Sequence, residues 1–416
     1  MKETQIVITI ILIIAQFSVP KKWAFLPLLI AALHTTQAPV FPSFSTARVV
    51  IIAGLVRAMA KGDLKWSAQN PIDLLILLWS SAAFFTSLFH EPTVSLNNPT
   101  ISRIRLVIDV FGTFLYAKSY IKNLEDFRHL CKSAAYVSIP LAIGLLITQL
   151  SFYNIYSIIG ADPNTLVRNG TIRAVGPFGT PILAGTVGAL IFPFFIVIWN
   201  DYKLAARSGL ASSLAIIYAS GSSTPIGALI IGICALSLWK LRLHMKSIMI
   251  ISTALLIGMA IVKTRPIWYL IAITDFVGGS TGWHRAYLID MAIKHFDEWW
   301  LYGTEYTRHW MPYGLAAIPE HCDLTNYFIH MGVIGGMPAM IILILIFRSS
   351  FKSVKTTLHL FRELNKDEEF TIWCIGALLF THALTCLTIS YFDQTYVLFY
   401  FLIALISNLG KSTQTP

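Results

Sequence analysis

Between Arg265 and Asn326 the chain gathers side chains that bind anions, move protons and stack on flat apolar faces. Arg285 follows Gly278, Gly279, Ser280, Thr281 and Gly282. It precedes Leu288, Ile289, Ala292, Ile293, Phe296, Trp299 and Trp300 at three-to-four spacing, with Asp290 and Lys294 opposite as an i, i+4 pair. This pattern predicts a helix lying along a membrane interface, with Arg285 in its first turn. There, free backbone N–H groups and the helix dipole favour an anion, and with the guanidinium they suit a diphosphate.

A second arginine motif, Arg173-Ala-Val-Gly176-Pro-Phe178-Gly-Thr-Pro181, opens an apolar run, with Arg168 just before it. Guanidinium groups grip phosphate oxygens bidentately. Two or three of them converging would neutralise charge on a departing diphosphate. A third stretch, Glu320-His321-Cys322-Asp323, holds an imidazole near neutral pKa beside carboxylates. His321 is thus the candidate general base, and Asp323 and Glu320 are its rivals. Trp283, Trp299, Trp300, Tyr302, Tyr306 and Trp310 crowd the same segment. They fit sugar stacking and a membrane-interface belt equally well.

These groups need something to carry them, and the composition says what. Of 416 residues, 56% are hydrophobic and only 12% charged, and the mean hydropathy is +0.67. So little polar surface cannot clothe a soluble globule. Apolar runs of about 20 residues recur, which predicts an all-α polytopic membrane protein of about 12 or 13 spans forming a single domain over 1–416. Expected spans are 5–19, 23–41, 46–60, 72–90, 103–120, 133–152, 180–199, 205–220, 225–239, 247–264, 323–347, 370–390 and 394–409. Pro27, Pro39 and Pro42 interrupt the second and third, one of which could be re-entrant. No small-residue cleavage site follows the first span, so it is read as uncleaved.

Lys and Arg cluster in alternate connections: Lys21/Lys22, Arg57/Lys61/Lys65, Lys118/Lys122/Arg128/Lys132, Lys203/Arg207, Lys240/Arg242/Lys246 and Arg348 to Lys366. The positive-inside rule puts these in the cytoplasm, so segments 153–179 and 265–322 face outward. Arg168, Arg173, Arg265, Arg285 and Arg308 then stand on the side where arginine is discouraged, which asks for a function. The net charge of +10 belongs to loops, and no soluble basic domain exists to bind nucleic acid. Five cysteines (Cys131, Cys234, Cys322, Cys374, Cys386) lack metal-ligand spacing and read as small core residues. No outward carboxylate cluster of the DxD kind is present, so neither metal nor cofactor is expected. Asp109 is the main charge falling within a span, where a transporter would need several.

Arg-x-x-Gly-x-Phe-x-x-Pro at 173–181, Ser220-Gly-Ser-Ser223, the long segment with Arg285, and His321 eleven residues before Gly332-x-x-Gly335 resemble the O-antigen ligase and polymerase superfamily. Ser-Thr-Gly-Trp-His-Arg, Glu-Trp-Trp-Leu-x-Gly-Thr and Asp-Leu-Thr-Asn look most like its bacterial exopolysaccharide polymerase branch. The likeness covers about Arg168 to Arg348. It implies a GT-C-like membrane fold with a long helical periplasmic loop at 265–322, in the bacterial inner membrane. The implied activity is transfer of a glycan from an undecaprenyl-diphosphate carrier to an acceptor glycan. Arg173 and Arg285 would hold the diphosphate, with Arg168 assisting, and His321 would act at the acceptor. Membrane lipids, a flippase and a chain-length regulator are the implied partners. Ile182, Thr224-Pro225 and Cys322 stand where the family often has Asn, Arg and Asn, leaving Arg308 or Arg265 to make good the missing contact. Polymerase, ligase onto a lipid A core or other acceptor, and lipid-linked sugar transporter are the readings carried forward.

Overall fold

A computed structural model describes residues 2–41, 44–64, 70–93, 98–273, 281–314 and 316–412. Gly278, Gly279 and Ser280 of the expected glycine turn, with Pro42 and Lys65, lie outside these. The molecule is mostly helical. Among the described residues, four helices are long and apolar enough to cross a membrane: Pro71–Phe89, Leu124–Ser151, Ser223–Val262 and Tyr327–Leu364. Glu3–Ser18, Pro181–Val197 and Tyr396–Gly410 are shorter and apolar.

The helices are numbered in chain order: α1 (Lys2–Ser18), α2 (Leu26–His34), α3 (Thr46–Ala60), α4 (Pro71–Thr86), α5 (Pro99–Val107), α6 (Thr113–Tyr120), α7 (Leu124–Ser151), α8 (Pro181–Val197), α9 (Lys203–Ser220), α10 (Ser223–Ser237), α11 (Met245–Val262), α12 (Gly282–Lys294), α13 (Phe296–Trp299), α14 (Tyr327–Leu364), α15 (Lys366–Thr385) and α16 (Tyr396–Ser412). Their starts follow local chemistry. Asn70, Asn98, Asn123, Thr180, Asn326 and Asn365 each accept a backbone N–H of the first turn, and Pro71, Pro99 and Pro181 occupy first positions where no N–H is needed. α16 runs through the interior, with Val397, Phe399, Ile403 and Ala404 fully buried. α11, by contrast, has no buried residue at all.

Three departures from the sequence expectations matter. The 23–41 segment holds only the nine-residue α2 and then a short hairpin, β1 (Pro39–Phe41) with β2 (Phe44–Ser45), because Pro39 cannot continue a helix. The 103–120 segment is two helices joined through a π-turn at Ile108–Gly112. Finally, two more hairpins appear in a chain expected to be all-α: β3 (Leu166–Arg168) with β4 (Thr171–Arg173), and β5 (Ala316–Ile318) with β6 (His321–Cys322). Each carries residues singled out for chemistry.

The glycines of α14 do other work than close helix packing alone. The helix breaks at Gly335 and Gly336, the latter at φ +75° and ψ 175°, a region open essentially to glycine. Into the break comes the 300–304 backbone. Met337 N donates to Trp300 O at 2.8 Å and Thr304 N to Val333 O at 2.9 Å. A Cβ on Gly336 would collide with the Leu301 carbonyl, and one on Gly332 with the Trp299 ring. Gly335 instead lies near Ala83 and Thr86 of α4. Gly336→Ala should therefore lower stability by about 1–3 kcal/mol from backbone strain alone, before the carbonyl clash is added. Thermal unfolding in detergent measures it, and an unchanged midpoint would remove the insertion from the account.

Candidate active site

A partly open cavity of about 700 Å³ lies where α3, α8, α14 and α16 begin and past the end of α15, with the later part of α5 alongside. Arg285, His321 and Asp323 line it together.

Arg285 sits in the first turn of α12 with its backbone N–H already donated to Thr281 O at 3.2 Å, so the guanidinium, not the helix terminus, is what it offers. The residue is buried, and its Nε has no partner. Burial pulls its pKa down, Asp323 opposes this, and the Arg168 and Arg173 cations lower it further. Among the described residues, three arginines and one carboxylate thus act in one neighbourhood, of which Arg285 and Asp323 line the cavity. Arg168 and Arg173 reach it from the β3–β4 hairpin, whose tight turn uses Asn169 and Gly170 at positive φ. Arg173 donates from Nη2 to Ser222 Oγ at 2.6 Å, leaving its own Nε unpartnered. Gly221, in the left-handed region, lets the Ser220–Ser223 turn pass against the arginine stem. The segment after it is pinned by Gly179 N to Asp393 at 3.0 Å and by Gln394 to Pro177 O at 3.1 Å.

His321 opens β6 and meets the Thr307 hydroxyl through Nδ1 at 3.0 Å. Burial holds its pKa below the usual imidazole value. Glu305 and Glu320 act to raise it and Arg103 to lower it. Asp323 is pushed up by burial, with His284 and Arg285 pulling it back. The His284 ring is buried against the Asp323 carbonyl at 3.1 Å. Glu320 is buried, accepts the Thr307 and Arg308 N–H groups at its carbonyl, and stands outside the cavity lining. The Cys322 thiol is driven up by burial and lies 3.6 Å from the Thr307 hydroxyl, so it remains a neutral thiol.

The other sequence candidates are not gathered into the cavity. Arg308 spends its guanidinium on the carbonyls of Met311, Pro312 and Gly314 and so braces its own loop. Arg265 lies over the Tyr269 ring at 5.7 Å. Trp299 and Trp310 are buried, their indole N–H groups given to Ala292 O and Glu298. Trp300 is half exposed, and Trp283 is exposed and stacked on Tyr287 at 4.9 Å. Asp290 takes hydrogen bonds from Trp268 and Tyr269, and no ion pair with Lys294 is found among the described residues.

Sequence reasoning missed the cavity's inner wall. Arg103 pairs with Glu305 at 2.8 Å, and His90 adds a longer contact to the same carboxylate at 3.6 Å. Arg48 clamps Asp109 through two bonds of 2.8 and 2.7 Å, and Tyr396 donates to the same carboxylate at 2.7 Å. Arg105, Ser390, Thr388 and His330 are among the other polar lining residues. Asp109 was visible as a charge inside a span. Its partners were not, because they lie 61 and 287 residues away in sequence.

The chain matches no protein-family profile and no curated protein.

Proposed function

We propose that this protein is a membrane glycosyltransferase that polymerises undecaprenyl-diphosphate-linked repeat units at the extracytoplasmic face of the bacterial inner membrane. The observation that carries the reading is the cavity that Arg285, His321 and Asp323 line together, with Arg173 and Arg168 outside the lining yet close enough to act on Arg285, whose Nε has no partner. An excess of guanidinium over carboxylate in a partly buried pocket suits a polyanion, and a diphosphate leaving group is one. Neutral His321 is suited to take the proton of an acceptor hydroxyl as the new glycosidic bond forms.

Helix polarity supports the sidedness. α3 and α14 offer their first residues to the cavity and carry Arg57 and Arg348 further along, the latter about 30 Å away by helical rise. The basic ends are those that the positive-inside rule keeps in the cytoplasm.

A transporter would use ionisable groups freed to bind and release cargo. Here the two aspartates buried within spans are each closed on a cation, Asp109 on Arg48 and Asp73 on Lys118, with Ser407 also holding Asp73. The deciding experiment incubates purified protein with a synthetic polyprenyl-diphosphate oligosaccharide. A ladder of longer lipid-linked products supports polymerisation. A single transfer onto an added acceptor supports the ligase reading, and unchanged substrate removes both.

The pH profile of that reaction has a defined sign. His321 acts as a base only when neutral, and burial lowers its pKa from the ordinary imidazole value. Activity should hold through neutral pH and be lost as pH drops through that lowered value. Glu305→Gln removes a carboxylate that raises it, so the acid limb should move to lower pH. A limb that stays in place would separate it from His321.

A further inference from the structure

His295, Glu298 and His309 lie outside the cavity lining, and nothing in the glycosyl-transfer reading uses them. His295 follows the last residue of α12, α13 begins at once, and Glu298 sits three residues on from it. His309 comes from the 304–314 loop. Both imidazoles converge on one carboxylate oxygen: His295 Nδ1 lies 2.7 Å and His309 Nε2 2.9 Å from Glu298 Oε1. The three ligand atoms lie within 4.8 Å of one another.

Each ring is held in place. His295 stacks on Trp310 at 5.7 Å with 11° between planes, and His309 stacks on Tyr306 at 5.3 Å with 3°. Glu298 Oε2 accepts the Trp310 indole N–H at 2.8 Å, which leaves Oε1 facing the two imidazoles. Neutral nitrogens and one carboxylate form the borderline donor set that zinc prefers. A tetrahedral ion with bonds of about 2.0–2.2 Å places its ligands about 3.3 Å apart, so the present spacing needs to widen by about half an ångström. His309 is exposed and the other two half-buried, which gives an ion a way in and leaves a fourth position for water.

From this convergence we propose a zinc-class divalent site built from His295 Nδ1, Glu298 and His309 Nε2, with Trp310 as the group that orients the carboxylate. The ion would join α13 to the 304–314 loop. That loop's Thr307 holds His321, and its Thr304 N–H reaches the α14 break. The site is thus a clamp on the support of the proposed base, with no part in bond making, and it stands whether or not the glycosyl-transfer reading does.

The test uses full-length protein purified in detergent without a histidine tag and stripped with chelator. Zinc is titrated by calorimetry, and cobalt(II) by its visible ligand-field absorption. The wild type should bind one ion per chain with a tetrahedral cobalt spectrum, and its Tm should rise. His309→Asn and Glu298→Gln should abolish binding, Trp310→Phe should weaken it about tenfold, and His309→Cys should restore it with a thiolate-to-cobalt band. Absence of saturable binding to the wild type overturns the proposal. So does binding that survives both His309→Asn and Glu298→Gln, and so does a His309→Cys protein that binds cobalt without the thiolate band.

Discussion

Arg285→Ala should lower glycan transfer by about 10²–10³-fold, the loss expected when one preorganised donor to a developing anion is removed. The residue is buried, its Nε has no partner, and Arg168 and Arg173 repel it against the pull of Asp323. Two cations beside a third disfavour the empty pocket, and a bound diphosphate relieves that repulsion as charge builds on the leaving oxygen. Asp323 alone cannot do so. Removing Arg285 therefore reduces the pocket's self-repulsion, and the protein should be no less stable while losing activity. Arg285→Lys keeps the charge but not the planar fork and should also be impaired. Initial rates with the synthetic donor, read beside Tm in the same detergent, check both. Full activity in the lysine variant would reduce the residue to charge balance, and a large fall in Tm for the alanine variant would make its role structural.

Much of this arrangement could be read along the chain, and the reason is periodicity. Spans such as 46–60, 205–220 and 394–409 match α3, α9 and α16 closely, because an apolar run bounded by Asn, Pro or Gly marks its own ends. Arg173, Arg285 and His321 could be nominated because their motifs are local. What stayed hidden depends on contacts distant in sequence. The β3–β4 and β5–β6 hairpins hold two or three residues per strand, too short for an alternating pattern to register. Gly332, Gly335 and Gly336 read as a packing seam, whereas two of the three face the 299–302 segment. Trp299 and Trp310 read as surface aromatics because a rich loop composition does not reveal which rings find indole acceptors. Arg308 was nominated as an outward-facing charge, yet three carbonyls of its own loop absorb it.

His321→Ala should cost about 10²–10⁴-fold in transfer, the range for a positioned general base. Three groups compete for that role, and their surroundings separate them. Glu320 stands outside the cavity lining, with its carbonyl engaged by Thr307 and Arg308 N–H groups. Asp323 lies beside Arg285, whose cation stabilises the carboxylate and weakens it as a base, although burial works the other way. Of the three, His321 is the imidazole that lines the cavity, and burial lowers its pKa, so it is neutral at physiological pH and keeps a lone pair to offer. If Thr307 accepts the Nδ1 proton across 3.0 Å, that lone pair is on Nε2. Thr307→Val would then remove the group that fixes the tautomer, and its loss should be smaller than that of His321→Ala and confined to kcat. Asp323→Asn should act differently, altering the electrostatics at Arg285 and so raising or lowering KM for the diphosphate donor. A reaction that survives His321→Ala but not Asp323→Asn would move the base to the carboxylate and leave the imidazole as part of the hairpin's hydrogen bonding.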